Sequence, residues 1–127
     1  VADAQYPITL AEFRAWLLTK RPTAVVGVRD NPVCCPAAGY LKARGDESPS
    51  VGRWWVTRGR IGKRGYREYR APEWLGLFTE LVDKGDDKPS RVQARTALRL
   101  LDKVAHASLP DEDDWERTAL ESEAVSG

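Results

Sequence analysis

The sequence predicts an α+β fold in which a small, mainly antiparallel sheet with a basic hairpin packs against about four helices. Two kinds of observation lead there. Several stretches repeat apolar residues at helical spacing behind recognisable caps or prolines, and between them lie a β-branched run and a glycine-punctuated aromatic stretch, "SVGRWWVTRGRIGKRGYREYRAPEW" from Ser50 to Trp74. The 127 residues suit one domain over 1–110, with an acidic tail over 111–127 that reads as a marginal helix or as disordered.

The first helix begins with a capping box. Thr9 caps, Glu12 stands three residues on, and Ile8 before the cap faces Phe13 as a staple. Leu10, Phe13, Trp16 and Leu17 then share one face until Pro22. Ala24 to Val28 reads as a strand ending at the turn-prone Asp30-Asn31-Pro32. The next helix spans Pro36 to Arg44, with proline at its first position and Gly45 just past its end.

After the loop "GDESPSVG", Val51 to Arg58 reads as one strand, with Val51, Arg53, Trp55 and Thr57 on one face and Trp54, Val56 and Arg58 on the other. A tip containing Gly59, Gly62 and Gly65 leads to a return strand in which Tyr66 and Tyr69 break alternation, as a bulge would. The third helix opens at Pro72-Glu73, carries Trp74, Leu77, Phe78, Leu81 and Val82 on one face, and stops at Gly85. Ser90 and Gln93 have capping-box spacing for the fourth, whose stripe is Ala94, Ala97, Leu98, Leu101, Val104 and Ala105, closed by Leu109-Pro110.

Charge is unevenly spread behind a formal net of +1. Residues 51–70 carry seven cations against one anion, a net of +6, while residues 111–127 carry one cation against seven anions, a net of −6. No apolar run is long enough to span a bilayer, and the 127 residues hold no positively charged start followed by an apolar core and a small-residue cleavage site. A reducing cytoplasmic setting without a membrane partner is therefore the simplest expectation, with a signal already removed as the alternative.

Conventional chemistry is thinly represented. Cys34 and Cys35 are adjacent, which disfavours both a mutual disulfide and a shared tetrahedral zinc. Cys35 precedes a helix N-terminus, where a thiolate would be favoured, and is the candidate reactive thiol of an alternative reading as a thiol-dependent enzyme or redox sensor. The plainer reading is packing, because the only histidine, His106, lies in the last turn of the fourth helix. Asp86-Asp87 and the tail read as solvated carboxylates. "GRIGKRG" lacks the Ser/Thr and the following helix of a phosphate loop, and Arg44-Gly45-Asp46 is accounted for as a helix end. No metal and no cofactor is implied.

The basic hairpin is what remains. Arg53, Arg58, Arg60, Lys63, Arg64 and Arg67 would supply charge for phosphates or an acidic protein surface, and Trp55 and Tyr66 would stack on bases. The bland alternative is a sheet with a solvated cationic face. Adjacent tryptophans point to opposite sides of a strand, so only one of Trp54 and Trp55 readily joins a core.

Several short motifs, Trp16-Leu17, Val26-Gly27, Cys35-Pro36-Ala37-Ala38-Gly39-Tyr40-Leu41, Val51-Gly52 with Trp54, Pro72-Glu73-Trp74 and Ala97-Leu98, come in an order that resembles a small uncharacterised family of actinobacteria, cyanobacteria and their phages. The resemblance spans roughly residues 9–107 and implies a compact α+β fold, with no functional residue carried over. The leading expectation is a non-enzymatic binding or regulatory module, with a phage as one source, that contacts nucleic acid or an acidic protein through the hairpin. The acidic tail is a candidate intramolecular partner for the same surface.

Overall fold

A computed structural model describes residues 4–84 and 90–108. The expected class is observed, with four helices and five strands among the described residues, in the order α1 (Leu10–Leu18), β1 (Val25–Val28), α2 (Pro36–Arg44), β2 (Ser50–Val51), β3 (Trp55–Arg58), β4 (Arg67–Arg70), α3 (Glu73–Asp83), β5 (Arg91–Gln93) and α4 (Ala94–Ser108). The strands divide between two antiparallel sheets, β1-β5 and β2-β3-β4. The acidic tail, Gly85, Asp86-Asp87 and Leu109-Pro110 lie outside the described residues.

The first two helices follow their local signals. The Glu12 amide donates to Thr9 Oγ1 at 3.1 Å, and Ile8, Phe13 and Leu17 are buried. α2 runs from Pro36 to Gly45, which takes the left-handed conformation at its end. Arg44 and Asp46 then form a bidentate pair (3.2 and 2.7 Å), and Tyr6 donates its hydroxyl to the same carboxylate. Burial, reinforced by Asp46, pushes the Tyr6 phenol up to about 12, and although burial of Asp46 opposes it, the bonds from Arg44 and Tyr6 hold that carboxyl below its usual range. Arg44-Gly45-Asp46 is thus a joint between α2 and the N-terminal segment.

Three expectations are revised. Residues 51–58 are two strands, because the chain reverses at Gly52–Trp54 and the Gly52 amide donates to the Trp55 carbonyl at 2.9 Å. Val51 then pairs with Val56, and both are fully buried. Second, β4 is in regular register with β3 and begins after Tyr66, so the bulge falls instead in β1, between Val25 and Gly27. Third, Ser90 does not open the fourth helix, which begins only at Ala94, after Gln93. Arg91–Gln93 forms β5, since the exposed edge of β1 needs a partner and Val92 supplies a β-branched side chain that becomes completely buried. The Ala94 and Arg95 amides donate back to the Ala24 and Pro22 carbonyls, so α4 starts directly from the sheet.

The buried residues of all four helices and both sheets form one cluster. On α3 its face is Leu75, Gly76, Phe78, Thr79 and Val82, with Trp74, Leu77 and Leu81 half-buried, so the helix is rotated from the expected stripe. Gly76 explains the rotation: a side chain there would collide with the Arg53 carbonyl, and its absence lets the β2–β3 turn sit directly on α3. The α4 face likewise adds Leu100 to the expected Ala94, Ala97, Leu101 and Val104.

Candidate binding site

The β2–β3 turn, the start of α3 and the N-terminal segment meet around an open cleft of about 690 Å³. Its walls include Gln5, Arg53, Trp54, Trp55, Arg70 and Glu73. Gln5 reaches the cleft because it bridges Arg70 in parallel, with the Tyr6 amide donating to the Arg70 carbonyl and the Arg70 amide to the Ala4 carbonyl. The Ala71 amide donates to the Trp54 carbonyl at 2.8 Å and ties the turn to the end of β4.

Both tryptophans of the adjacent pair are exposed, Trp54 at 66% and Trp55 at 48%. Opposite-facing placement does not apply to Trp54, which lies in the bend before β3, while Trp55 points away from Val56 on the outer face of the sheet. Arg53 lies over the Trp54 ring at 4.1 Å from its centroid and donates Nε to Glu80 Oε1 at 3.2 Å. The salt bridge and the stack hold one face of the indole against the protein, and the ring's remaining surface is open.

The other expected residues divide into three groups. Strand register puts Trp55, Thr57, Glu68 and Arg70 on one face, and Arg58 opposite Arg67 on the other face, beyond the buried Val56 and half-buried Tyr69. Arg58 and Arg67 therefore do not share a surface with Trp55. Tyr66 lies just before β4 and donates its hydroxyl to Glu68 Oε2 at 2.9 Å, a bond that raises its phenol pKa. Arg60, Lys63 and Arg64 are exposed on the tip, which is built from two successive turns closed by Lys63 N to Arg60 O (2.9 Å) and Tyr66 N to Lys63 O (3.2 Å). Gly62 and Gly65 occupy the third position of these turns with φ of 80° and 93°, the positive value of a type II turn that glycine adopts without strain. Ile61 between them is 82% exposed.

Trp54, Arg70, Gln5 and Glu73 were not among the sequence candidates. Trp54 could have been found from Gly52, whose turn-forming tendency splits the apparent strand. Gln5 and Glu73 carry no local signal, since only the pairing of residues 4–6 with β4 and the close approach at Gly76 bring them to the cleft.

The cysteines are placed differently from one another. Cys34 is exposed, whereas Cys35 is buried at the N-terminus of α2, with its Sγ 3.9 Å from the Pro32 carbonyl. Burial pushes the Cys35 thiol up, outweighing the opposing Ala37 and Ala38 amides, so the environment works against a thiolate. Alkylation of the folded protein is expected to modify Cys34 first and leave Cys35 protected until denaturant is added. Mass spectrometry of the labelled peptides reads this directly, and equal rates at neutral pH would refute the burial argument. Among the described residues no group of three or more His, Cys, Asp or Glu side chains is arranged to hold a metal ion, and no helix is long and apolar enough to cross a membrane.

No protein-family model, curated protein or solved structure matches this chain. The motifs behind the family resemblance are occupied largely by residues that build the fold: Leu17, Pro36, Ala37, Ala38, Tyr40 and Leu41 are buried, and Trp16 and Trp74 pack against the core.

Proposed function

We propose that this protein is a non-enzymatic binding module for single-stranded nucleic acid, with the Trp54–Trp55 cleft as its stacking site and the cationic hairpin as its phosphate contact. The observation that carries this reading is the exposure of both indoles beside Arg53 and Arg70. Unpaired bases stack on aromatic faces whatever their identity, and arginines and lysines beside them neutralise the backbone. Arg60, Lys63 and Arg64 extend the charge along the tip, and Arg58 and Arg67 add to it from the opposite face.

Salt dependence tests the electrostatic half. For single strands, log affinity falls against log salt with a slope of about −0.7 per phosphate contacted. Reversing Arg60, Lys63 and Arg64 to glutamate removes three such contacts if each meets a phosphate, so the slope should become shallower by roughly 2. A labelled oligothymidine titrated at several salt concentrations measures both slopes, and identical slopes would sink the assignment of the tip to phosphate.

The same titration on a chain lacking residues 111–127 tests the tail. Its net of −6 against the hairpin's +6 makes it a competitor for the same cations, and its removal is expected to tighten binding most at low salt. Unchanged affinity at low salt would exclude that role.

One observation favours an acidic protein surface instead. Ile61 offers an exposed apolar side chain on the tip, where a phosphate backbone has no use for it and a protein partner would bury it. Ile61→Ser should leave oligonucleotide affinity unchanged; a large loss would give the tip an apolar contact that the nucleic-acid reading does not contain.

A further inference from the structure

The second sheet gathers a cationic cluster that lies apart from the hairpin. Arg29 follows β1, Arg91 opens β5, and Arg95 and Arg99 stand one turn apart on α4. Strand register sets their backbones side by side, because Val28 pairs with Arg91 and the Arg29 amide donates to the Ser90 carbonyl at 2.7 Å. Arg29 lies past the end of β1, where strand alternation no longer sets its side chain, and both residues line the same cleft. All four line an open cleft of about 620 Å³, together with Gln93 and Thr96, and none of the described residues lining it is acidic. That volume falls within the range of small-molecule sites.

The arginines are partly oriented by the protein. Arg29 is half-buried and donates Nη1 to the Val82 carbonyl at the end of α3. Arg95 donates Nε to Gln93 Oε1 at 2.9 Å, which fixes the plane of its guanidinium. Arg95 and Arg99 are an i,i+4 pair of like charge, an arrangement that destabilises a helix unless an anion lies between them. The planar fork of arginine matches phosphate oxygens two at a time, and four forks around one cleft suit a ligand with several phosphates.

We propose that this cleft binds a small ligand bearing two or more linked phosphate groups, held by Arg29, Arg91, Arg95 and Arg99. Its source is either an inorganic phosphate chain or a nucleotide, for which the exposed side chain of Val25 at the rim offers an apolar contact. The site shares no residue with the tryptophan cleft, so it stands or falls independently of nucleic-acid binding by the hairpin.

Calorimetric titration of the full chain with inorganic triphosphate and, separately, with a nucleoside triphosphate tests it at physiological salt without divalent ions. Saturable binding of at least one is expected. Tighter binding of the nucleoside triphosphate identifies a nucleotide site, and equal affinity identifies the phosphate chain as the recognised group. Arg95→Ala with Arg99→Ala should weaken binding by about tenfold or more, as expected for lost charge-assisted hydrogen bonds. Reversal of Arg60, Lys63 and Arg64 should leave it unchanged. If the α4 variant melts early, Arg91→Gln, on an exposed side chain of β5, provides the same readout. The proposal is overturned if neither compound binds saturably, if binding survives both the α4 and the β5 substitutions, or if the hairpin variant loses it equally.

Discussion

Replacing Trp54 and Trp55 together by alanine is expected to weaken binding of a single-stranded oligonucleotide by at least about thirtyfold at fixed salt, on the basis of roughly 1–3 kcal/mol per stacked base. Stability should barely move. The indoles are 66% and 48% exposed, and substitutions on an exposed surface usually change stability by about 0.5 kcal/mol or less. The pair therefore separates function from folding: fluorescence anisotropy with a labelled oligothymidine reads the first, and a thermal melt reads the second. Unchanged affinity with an unchanged melt would remove the stacking site from the proposal. Arg53→Ala is informative beside it, because the guanidinium that lies over Trp54 is itself held by Glu80 and helps set the ring's orientation. Its loss should weaken binding even though one of the cations in the cleft, Arg70, remains.

Phe13→Ala is expected to destabilise the fold by about 3–5 kcal/mol, a large share of the ~5–15 kcal/mol that a domain of this kind possesses. Phe13 is fully buried, and its ring lies 5.2 Å from Phe78 in an edge-to-face arrangement, with Tyr40 at 5.6 Å, Trp74 at 6.1 Å and Trp16 at 6.2 Å. Truncation would leave three helices facing a void that backbone shifts cannot easily close, since the three are held by different loops. The melting temperature should fall by more than about ten degrees, and Phe13→Leu, which keeps most of the volume, should recover much of the loss. A change below about 1 kcal/mol for the alanine variant in denaturant titration would show that the cluster relaxes around the gap. Because Trp74 and Glu73 begin α3 at the edge of the tryptophan cleft, the same substitution should also loosen the binding site.

Helices α1 and α2 were legible because their signals are local. The Thr9 cap, the apolar spacing of Phe13 and Leu17, the proline at 36 and the glycine at 45 act over distances of a few residues, and the structure uses each as expected. The helical positions of α3 were legible for the same reason, but its rotation was not, because the approach of Arg53 to Gly76 depends on a turn more than twenty residues away. β5 illustrates the opposite failure. Arg91–Gln93 follows a serine at capping-box spacing and precedes a well-formed helix, so local rules assign it to that helix; the unpaired edge of β1 claims it instead.

The sequence alone determined the α+β class, the helices, the caps of α1 and α2, and the concentration of charge and aromatic residues between positions 51 and 70, since these depend on spacing and composition. Tertiary structure decided which of those side chains share a surface. Strand parity sent Arg58 and Arg67 to the face opposite Trp55, and the turn at Gly52 turned Trp54 outward. Antiparallel register and one helical turn assembled Arg29, Arg91, Arg95 and Arg99 from positions up to seventy residues apart. The physical reason is that a side chain's face is set by hydrogen-bonded pairing and close approach, which are long-range properties of the chain, whereas its tendency to be helix or strand is set largely by its neighbours.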